Sequence, residues 1–127
     1  MKLRIQGNAL RLRLKRPEVE QLAAGVALED RIVFGPGSAS IFSYVLKSAP
    51  VNTISVVYTP GKITVLLPDA NARTWNASDR VGFEADVPAG DGASVHVSIE
   101  KDFKCIDGDS SEDQRDAYPN PNENAAC

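Results

Sequence analysis

Residues 30–34 read Asp-Arg-Ile-Val-Phe, and residues 79–83 read Asp-Arg-Val-Gly-Phe, 49 residues further along the chain. Each copy follows a segment that begins with a proline, Pro17 in the first case and Pro68 in the second. Proline is favoured in the first turn of a helix, so both segments are predicted to be helical. Each predicted helix follows two stretches of alternating polar and apolar residues, which is typical of β-strands. The sequence therefore predicts that one strand–strand–helix–strand pattern occurs twice.

This repetition predicts an α+β fold, with mostly antiparallel strands and two short helices. The pseudo-repeats cover residues 2–47 and 52–100, within a single domain of residues 1–106. One such unit cannot cover the apolar face of its own sheet, whereas two units related by a pseudo-twofold axis can interlock and bury it. We therefore expect the duplicated units to form a barrel-like sheet. The alternative is a generic α+β meander in which the Asp-Arg match is fortuitous.

The length and composition are compatible with this single domain. The chain has 127 residues, enough to bury roughly two-thirds of the surface of the unfolded chain without help from a metal or a disulfide. We expect no cofactor and no metal site. Residues 107–127 are rich in acidic residues, proline and asparagine, and are predicted to form a surface tail. Cys105 and Cys127 are too few for a disulfide framework, and are expected to be thiols in a reducing compartment.

Hydropathy predicts a soluble protein. Lys2 and Arg4 are not followed by an apolar run of the kind that a secretory signal needs. No stretch approaches the roughly 18 apolar residues of a membrane-spanning helix. The expected location is the cytoplasm, and a membrane is not an expected partner.

A group of basic residues near the start of the chain is the candidate binding site. In the predicted hairpin of the first two strands, these residues alternate with leucine and isoleucine and so share one face. They are Lys2, Arg4, Arg11, Arg13 and Lys15. Two interpretations stay open: a surface for an anionic partner, or a solvated face that the acidic tail of the same chain covers.

The expected partner is an unidentified protein or an anionic ligand. Nucleic acid is a less favoured ligand, because the net charge is −3 and no aromatic residues alternate with the basic ones to stack on bases. The sequence does not indicate an oligomeric state.

Other candidate chemistry is weakly supported. The segment that starts at Asp107 resembles a calcium loop but has Glu112 in place of the glycine and Tyr118 in place of the bidentate glutamate. His96 is the single histidine and is predicted to face outward with Ser98 and Glu100. Asp30 and Asp79 are predicted to precede strands at equivalent positions, as capping residues rather than as a catalytic pair. We identify no catalytic residue.

Two resemblances follow from particular stretches of the sequence. The run from Gly61 to Pro68, a short helix, and then residues 78–83 resembles the swapped-hairpin half-barrel of AbrB-type transition-state regulators and duplicated cradle-loop barrels. The opening Lys2–Asn8 and the ending that leads to Tyr118-Pro119-Asn120-Pro121 resemble a small uncharacterised bacterial protein family. The first resemblance implies a barrel and DNA binding, and the second implies no function.

These observations together predict a small binding or interaction protein without evident catalytic activity. An AbrB-like nucleic-acid-binding regulator is the first alternative. A small enzyme that uses a cleft of the barrel is the second alternative.

Overall fold

The computed structural model describes residues 1–103, and eight strands and two α-helices occur in this part of the chain. They are β1 (Lys2–Gln6), β2 (Ala9–Leu14), α1 (Arg16–Ala23), β3 (Leu28–Val33), β4 (Ile41–Ala49), β5 (Ser55–Thr59), β6 (Lys62–Pro68), α2 (Asp69–Trp75), β7 (Gly82–Gly90) and β8 (Ala93–Lys101). A short 3-10 helix, Ser38–Ser40, precedes β4. The α+β class with two short helices is confirmed. The predicted acidic tail 107–127 and both cysteines lie outside the described residues.

Local sequence explains where the first elements begin and end. Gly7, in the turn between β1 and β2, has a φ of +57°, a conformation that glycine adopts without strain. At the start of α1 the Lys15 backbone N–H donates to Glu18 Oε1 at 2.8 Å, and Pro17 lies in the first turn. Gly25, with a φ of +86°, follows the last turn and ends the helix.

The strands form two four-stranded sheets. The first sheet has the order β1-β2-β8-β7 and the second has the order β3-β4-β6-β5. In each sheet two antiparallel hairpins are joined by one parallel pair of strands, β2 with β8 and β4 with β6. Each half of the chain therefore gives one hairpin to each sheet.

The two parallel pairs are equivalent positions of one repeated unit. Leu12 lies opposite Ile99 in the first sheet, and Leu46 lies opposite Val65 in the second. The residue number increases by the same amount from Leu12 to Val65 as from Leu46 to Ile99. This shift therefore superimposes one pair on the other, and all four side chains are fully buried.

The Asp-Arg match does not follow this correspondence. Asp30 lies inside β3, whereas Asp79 precedes β7. The two residues are therefore not at equivalent positions, contrary to the expectation from the sequence. The equivalent of Leu28 is Phe83, because these two residues lie opposite Leu46 and Ile99. If the same shift in residue number as in the parallel pairs applied here, the equivalent of Leu28 would be Val81. The first strand after α2 thus carries a two-residue insertion relative to the first strand after α1.

One apolar core joins both sheets and both helices. Its members include Leu22 of α1, Trp75 of α2 and Phe83 of β7. The Trp75 and Phe83 rings meet edge to face with their centroids 5.1 Å apart, and the indole N–H of Trp75 donates to the carbonyl oxygen of Arg80 at 2.8 Å. The buried indole is therefore satisfied, as buried polar groups require.

The expected barrel is wrong, because the sheets are not closed. Strands β1 and β7 are the two edges of the first sheet, and β3 and β5 are the two edges of the second. Closure would require these edges to pair between sheets. Instead α1 and α2 contact each other and put their buried side chains into the core that the two sheets share.

Gly82 lies in β7 where the backbone of β8 leaves no room for a side chain. A Cβ atom at this position would overlap the carbonyl oxygen of Ile99 and would lie 2.9 Å from Glu100 Cα. We predict that Gly82→Ala lowers the free energy of unfolding by about 1–3 kcal/mol, because the backbone of β8 has to move to make room. Chemical denaturation measures this change. Gly35→Ala is the matched control, since its added Cβ makes an ordinary 3.4 Å contact with Ser40 Oγ. An equal loss of stability in both variants would contradict the explanation.

A charged sheet face as the candidate binding site

The basic residues of the first hairpin lie side by side on the first sheet. Lys2 is opposite Arg13 and Arg4 is opposite Arg11 in the register of β1 and β2. Residues that are opposite each other in an antiparallel pair project from the same face. Lys15 lies outside β2, at the start of α1. The structure therefore brings four of the five predicted residues together.

Strands β8 and β7 continue this face with acidic and polar side chains. Arg11 is opposite Ser98 and Arg13 is opposite Glu100, because β8 pairs with β2. Further along the sheet, Glu84 is opposite Ser98. We call this surface the charged face: its basic half is Lys2, Arg4, Arg11 and Arg13, and its other half is Glu84, Asp86, His96, Ser98 and Glu100.

Ion pairs connect the two halves. Glu100 Oε1 lies 3.6 Å from Arg11 Nε and 3.7 Å from Arg13 Nε. Lys2 Nζ lies 3.2 Å from Asp102 Oδ2, just beyond β8. These side chains are partly exposed, so each pair contributes little to stability. Their effect is to neutralise part of the basic half from within the same domain.

A shallow hollow of about 140 Å³ lies between the two halves. Arg4 and Arg11 line one side of it, and Glu84 and His96 line the other. The hollow exists because Ala9, which lies opposite His96 on the neighbouring strand, has a short side chain. The arrangement offers cationic donors and a carboxylate acceptor on opposite sides of one small space.

His96 is held between two carboxylates. Its Nδ1 donates to Asp86 Oδ1 at 2.8 Å, and its Nε2 lies 3.6 Å from Glu84 Oε1. The hydrogen bond to Asp86 raises the pKa of His96 above its ordinary value; partial burial opposes this, and the charges of Asp86 and Glu84 add to it. The two carboxylates therefore stabilise the imidazolium form of the ring relative to the neutral form, and a charged ring attracts anions.

The second sheet shows that the fold does not require these charges. At the positions that correspond to Lys2, Arg4, Arg11 and Arg13, the second sheet has Ser55, Val57, Thr64 and Leu66. At the position equivalent to His96 it has Ser43. These positions of the fold therefore accept neutral and apolar residues. Cross-strand pairs of like charge, such as Arg4 with Arg11, also cost stability rather than supply it.

The other sequence-predicted groups lie elsewhere or play a packing role. Asp30 Oδ2 lies 3.5 Å from the Met1 ammonium group, which also contacts Glu18, whereas Asp79 lines a separate cleft beside α1. Trp75 is 1% exposed and belongs to the core, whereas Phe103 is exposed. Among residues 1–103 no group of three or more His, Cys, Asp or Glu side chains is arranged to hold a metal ion. The calcium-like segment from Asp107 lies outside the described residues.

Sequence reasoning missed how His96 and the acidic residues join the basic hairpin. The alternation of β8 predicts that His96, Ser98 and Glu100 share one side of their strand. It does not show that this strand pairs with β2, which lies near the opposite end of the described chain. Long-range pairing leaves no periodic signal, so only the duplicated order of elements hinted at it.

Comparisons with known proteins identify a family and no activity. The family model described as "Family of unknown function (DUF7009)" matches residues 1–122. The expected resemblance to an uncharacterised family is confirmed, while a resemblance to AbrB-type regulators is not. No curated protein and no solved structure matches the chain. In the part of the chain that the structure describes, neither helix is long and apolar enough to cross a membrane.

The single histidine makes the charged face easy to monitor. We predict that an NMR titration gives His96 a pKa above 6.5, and that Asp86→Asn lowers it towards that value. Because the folded pKa is raised, the contribution of His96 to stability is fully present below the pKa of the unfolded chain and is lost as the pH rises through the folded pKa. Asp91→Asn, in the turn after β7, is the control that should leave the titration unchanged. A wild-type pKa at or below 6.5 would contradict the described contact.

Proposed function

Because the chain belongs to this family of unknown function, its activity has to be inferred from its own residues, and we propose that it is a small binding protein. The site is the hollow of the charged face. The ligand is a compact anion that carries a carboxylate or phosphate group. Arg4 and Arg11 hold the anionic group, and His96, when protonated, adds positive charge on the opposite side of the hollow.

One observation carries the proposal: the cations occupy positions where the equivalent half of the same fold has uncharged residues. Lys2, Arg4, Arg11 and Arg13 correspond to Ser55, Val57, Thr64 and Leu66. A group that the scaffold does not need, and that places like charges opposite each other, is expected to serve binding. We also infer that the two halves arose by duplication of one unit, after which the first sheet acquired its charges.

The size and the charge pattern of the site favour a compact ligand over nucleic acid. A nucleic acid would extend beyond the hollow and would meet Asp86 and Glu100, which do not line the hollow and which repel phosphates. The charged face also carries no Phe, Tyr or Trp for base stacking. Lys15 lies near the basic half in sequence and remains a predicted secondary contact for the same ligand.

The proposal predicts that Arg4→Val together with Arg11→Thr weakens binding of inorganic phosphate without harming the fold. These substitutions introduce the residues that the second sheet has at the same positions, so the scaffold should accept them. Loss of two charge-assisted contacts should weaken phosphate binding at least about tenfold. Stability should change little, because the removal of the like-charge pair offsets the loss of the partly exposed Arg11–Glu100 ion pair. Amide NMR shifts during a phosphate titration, and chemical denaturation, measure the two effects.

The matched control is Lys47→Ser together with Lys62→Ser, which removes the same number of positive charges from the exposed part of the second sheet. Phosphate binding should survive in this variant, and the NMR shifts in the wild-type protein should centre on Arg11, His96 and Ser98. Equal loss of binding in both double variants would show that phosphate binding depends on net charge alone, and would overturn the proposed site. Salt-dependent retention of DNA by the wild-type protein would favour the regulator alternative instead.

A further inference from the structure

The sequence around β3 has a mirrored pattern that the binding proposal does not use. Residues 26–34 read Val-Ala-Leu-Glu-Asp-Arg-Ile-Val-Phe, so that three apolar residues lie on each side of a charged triplet centred on Asp30. This segment lies along an edge of the second sheet. The side chains of Ile32, Val33 and Phe34 are 50%, 60% and 74% exposed, respectively. Large apolar side chains on an open strand edge are typical of a surface that another strand covers.

The other edge strands of the two sheets carry features that oppose strand addition. Strand β7, the counterpart of β3, contains Pro88 and has a register shift between Pro88 and Gly90. Strand β1 carries Lys2 and Arg4 on its outward face. Strand β5 is only five residues long and is followed by Pro60. Strand β3 has neither a proline nor a register shift, and its charged residues are of both signs, so that a second copy can pair them.

The backbone of β3 has hydrogen-bonding groups that point away from its sheet. Phe34 N–H donates to the carbonyl oxygen of Ser40 at 2.8 Å, in register with the pairing of β3 and β4. Residues in an antiparallel ladder alternate between bonding to one neighbour and bonding to the other side. Glu29, Arg31 and Val33 therefore direct their backbone groups towards the open edge.

We propose that β3 pairs antiparallel with β3 of a second copy of the chain, about a twofold axis that passes through Asp30. In this register Glu29 lies opposite Arg31 of the second copy, and the symmetry repeats this ion pair. Leu28 lies opposite Ile32 of the second copy, and Val26 opposite Phe34. The contact is isologous, so it closes as a dimer and does not propagate into a fibre.

Sheet geometry selects this register over its neighbours. Opposite residues must project from the same face, so the register can change only in steps of two. A step in one direction places Arg31 opposite Arg31 of the second copy, and a step in the other places Glu29 opposite Glu29. Only the register with its axis at Asp30 places Glu29 and Arg31 of each copy opposite residues of opposite charge. Asp30 then lies opposite Asp30 of the second copy, and each of the two carboxylates has the Met1 ammonium of its own chain 3.5 Å away, which reduces their repulsion.

The dimer would join the two second sheets into one sheet of eight strands. It would cover Ile32, Val33 and Phe34, and it would leave the charged face free because that face belongs to the first sheet. The interface and the proposed anion site are therefore independent, and either can fail without the other.

Analytical ultracentrifugation of the full chain over a concentration series tests the pairing. We expect a monomer–dimer equilibrium in the wild-type protein. Arg31→Glu alone and Glu29→Arg alone each place two pairs of like charges in the interface, and should raise the dimer dissociation constant about tenfold or more. The double variant Glu29→Arg/Arg31→Glu restores two opposite-charge pairs and should return the dissociation constant to near the wild-type value.

A pair of exposed aromatic residues provides the control. Phe34→Ser should weaken the dimer, whereas Tyr58→Ser should not, although Tyr58 on the opposite edge strand is 68% exposed. Circular dichroism verifies that each variant is folded. A wild-type protein that stays monomeric up to about 1 mM overturns the proposal. A double variant that is no tighter than the single variants, or equal effects of the two serine substitutions, would place any self-association on another surface and also overturn it.

Discussion

The structure depends on two parallel contacts deep in its core. Leu12 packs beside Ile99 and Leu46 packs beside Val65, and each contact joins a strand of one half to a strand of the other. Without them, each half would consist of two separate hairpins that belong to different sheets. The halves are therefore not domains: neither can cover its apolar residues alone, and burial of apolar surface is the main favourable term in folding. Folding has to bring together strands from opposite ends of the described chain, which favours slow folding.

The same symmetry that builds the core exposes a difference at the surface. Inward-facing positions are apolar in both halves, as for Leu14 and its counterpart Leu67. Outward-facing positions have diverged, so that arginine in one sheet corresponds to valine, threonine or leucine in the other. Because the two halves have equivalent strands, each half serves as a reference for the other. Comparing the two halves shows which residues the fold requires and which it only accommodates, and the comparison needs no related sequence.

The parts of the fold that depend on neighbouring residues could be predicted from the sequence. Alternation along β1 and β2, with Gly7 between them, predicts the hairpin and the shared face of Arg4 and Arg11, because a tight turn fixes the register of its strands. The barrel expectation was wrong because periodicity does not specify which edges of distant strands meet. The Asp-Arg match gave a misleading register, because the first strand after α2 carries a two-residue insertion that no local pattern reveals. His96 was placed on the correct side of its strand, but its position beside Ala9 follows from long-range pairing alone.

The order of strands in the two sheets also has a consequence for synthesis on the ribosome. The second sheet uses a continuous stretch of chain, residues 28–68, whereas the first sheet combines residues 2–14 with residues 82–101. The second sheet has all its strands early in translation. The first hairpin, which is made before it, must wait for the end of β8 before its inner leucines gain their parallel neighbour. During that interval the nascent chain carries an unfinished sheet, in which Arg11 and Arg13 have not yet met Glu100, the carboxylate beside them in the folded protein.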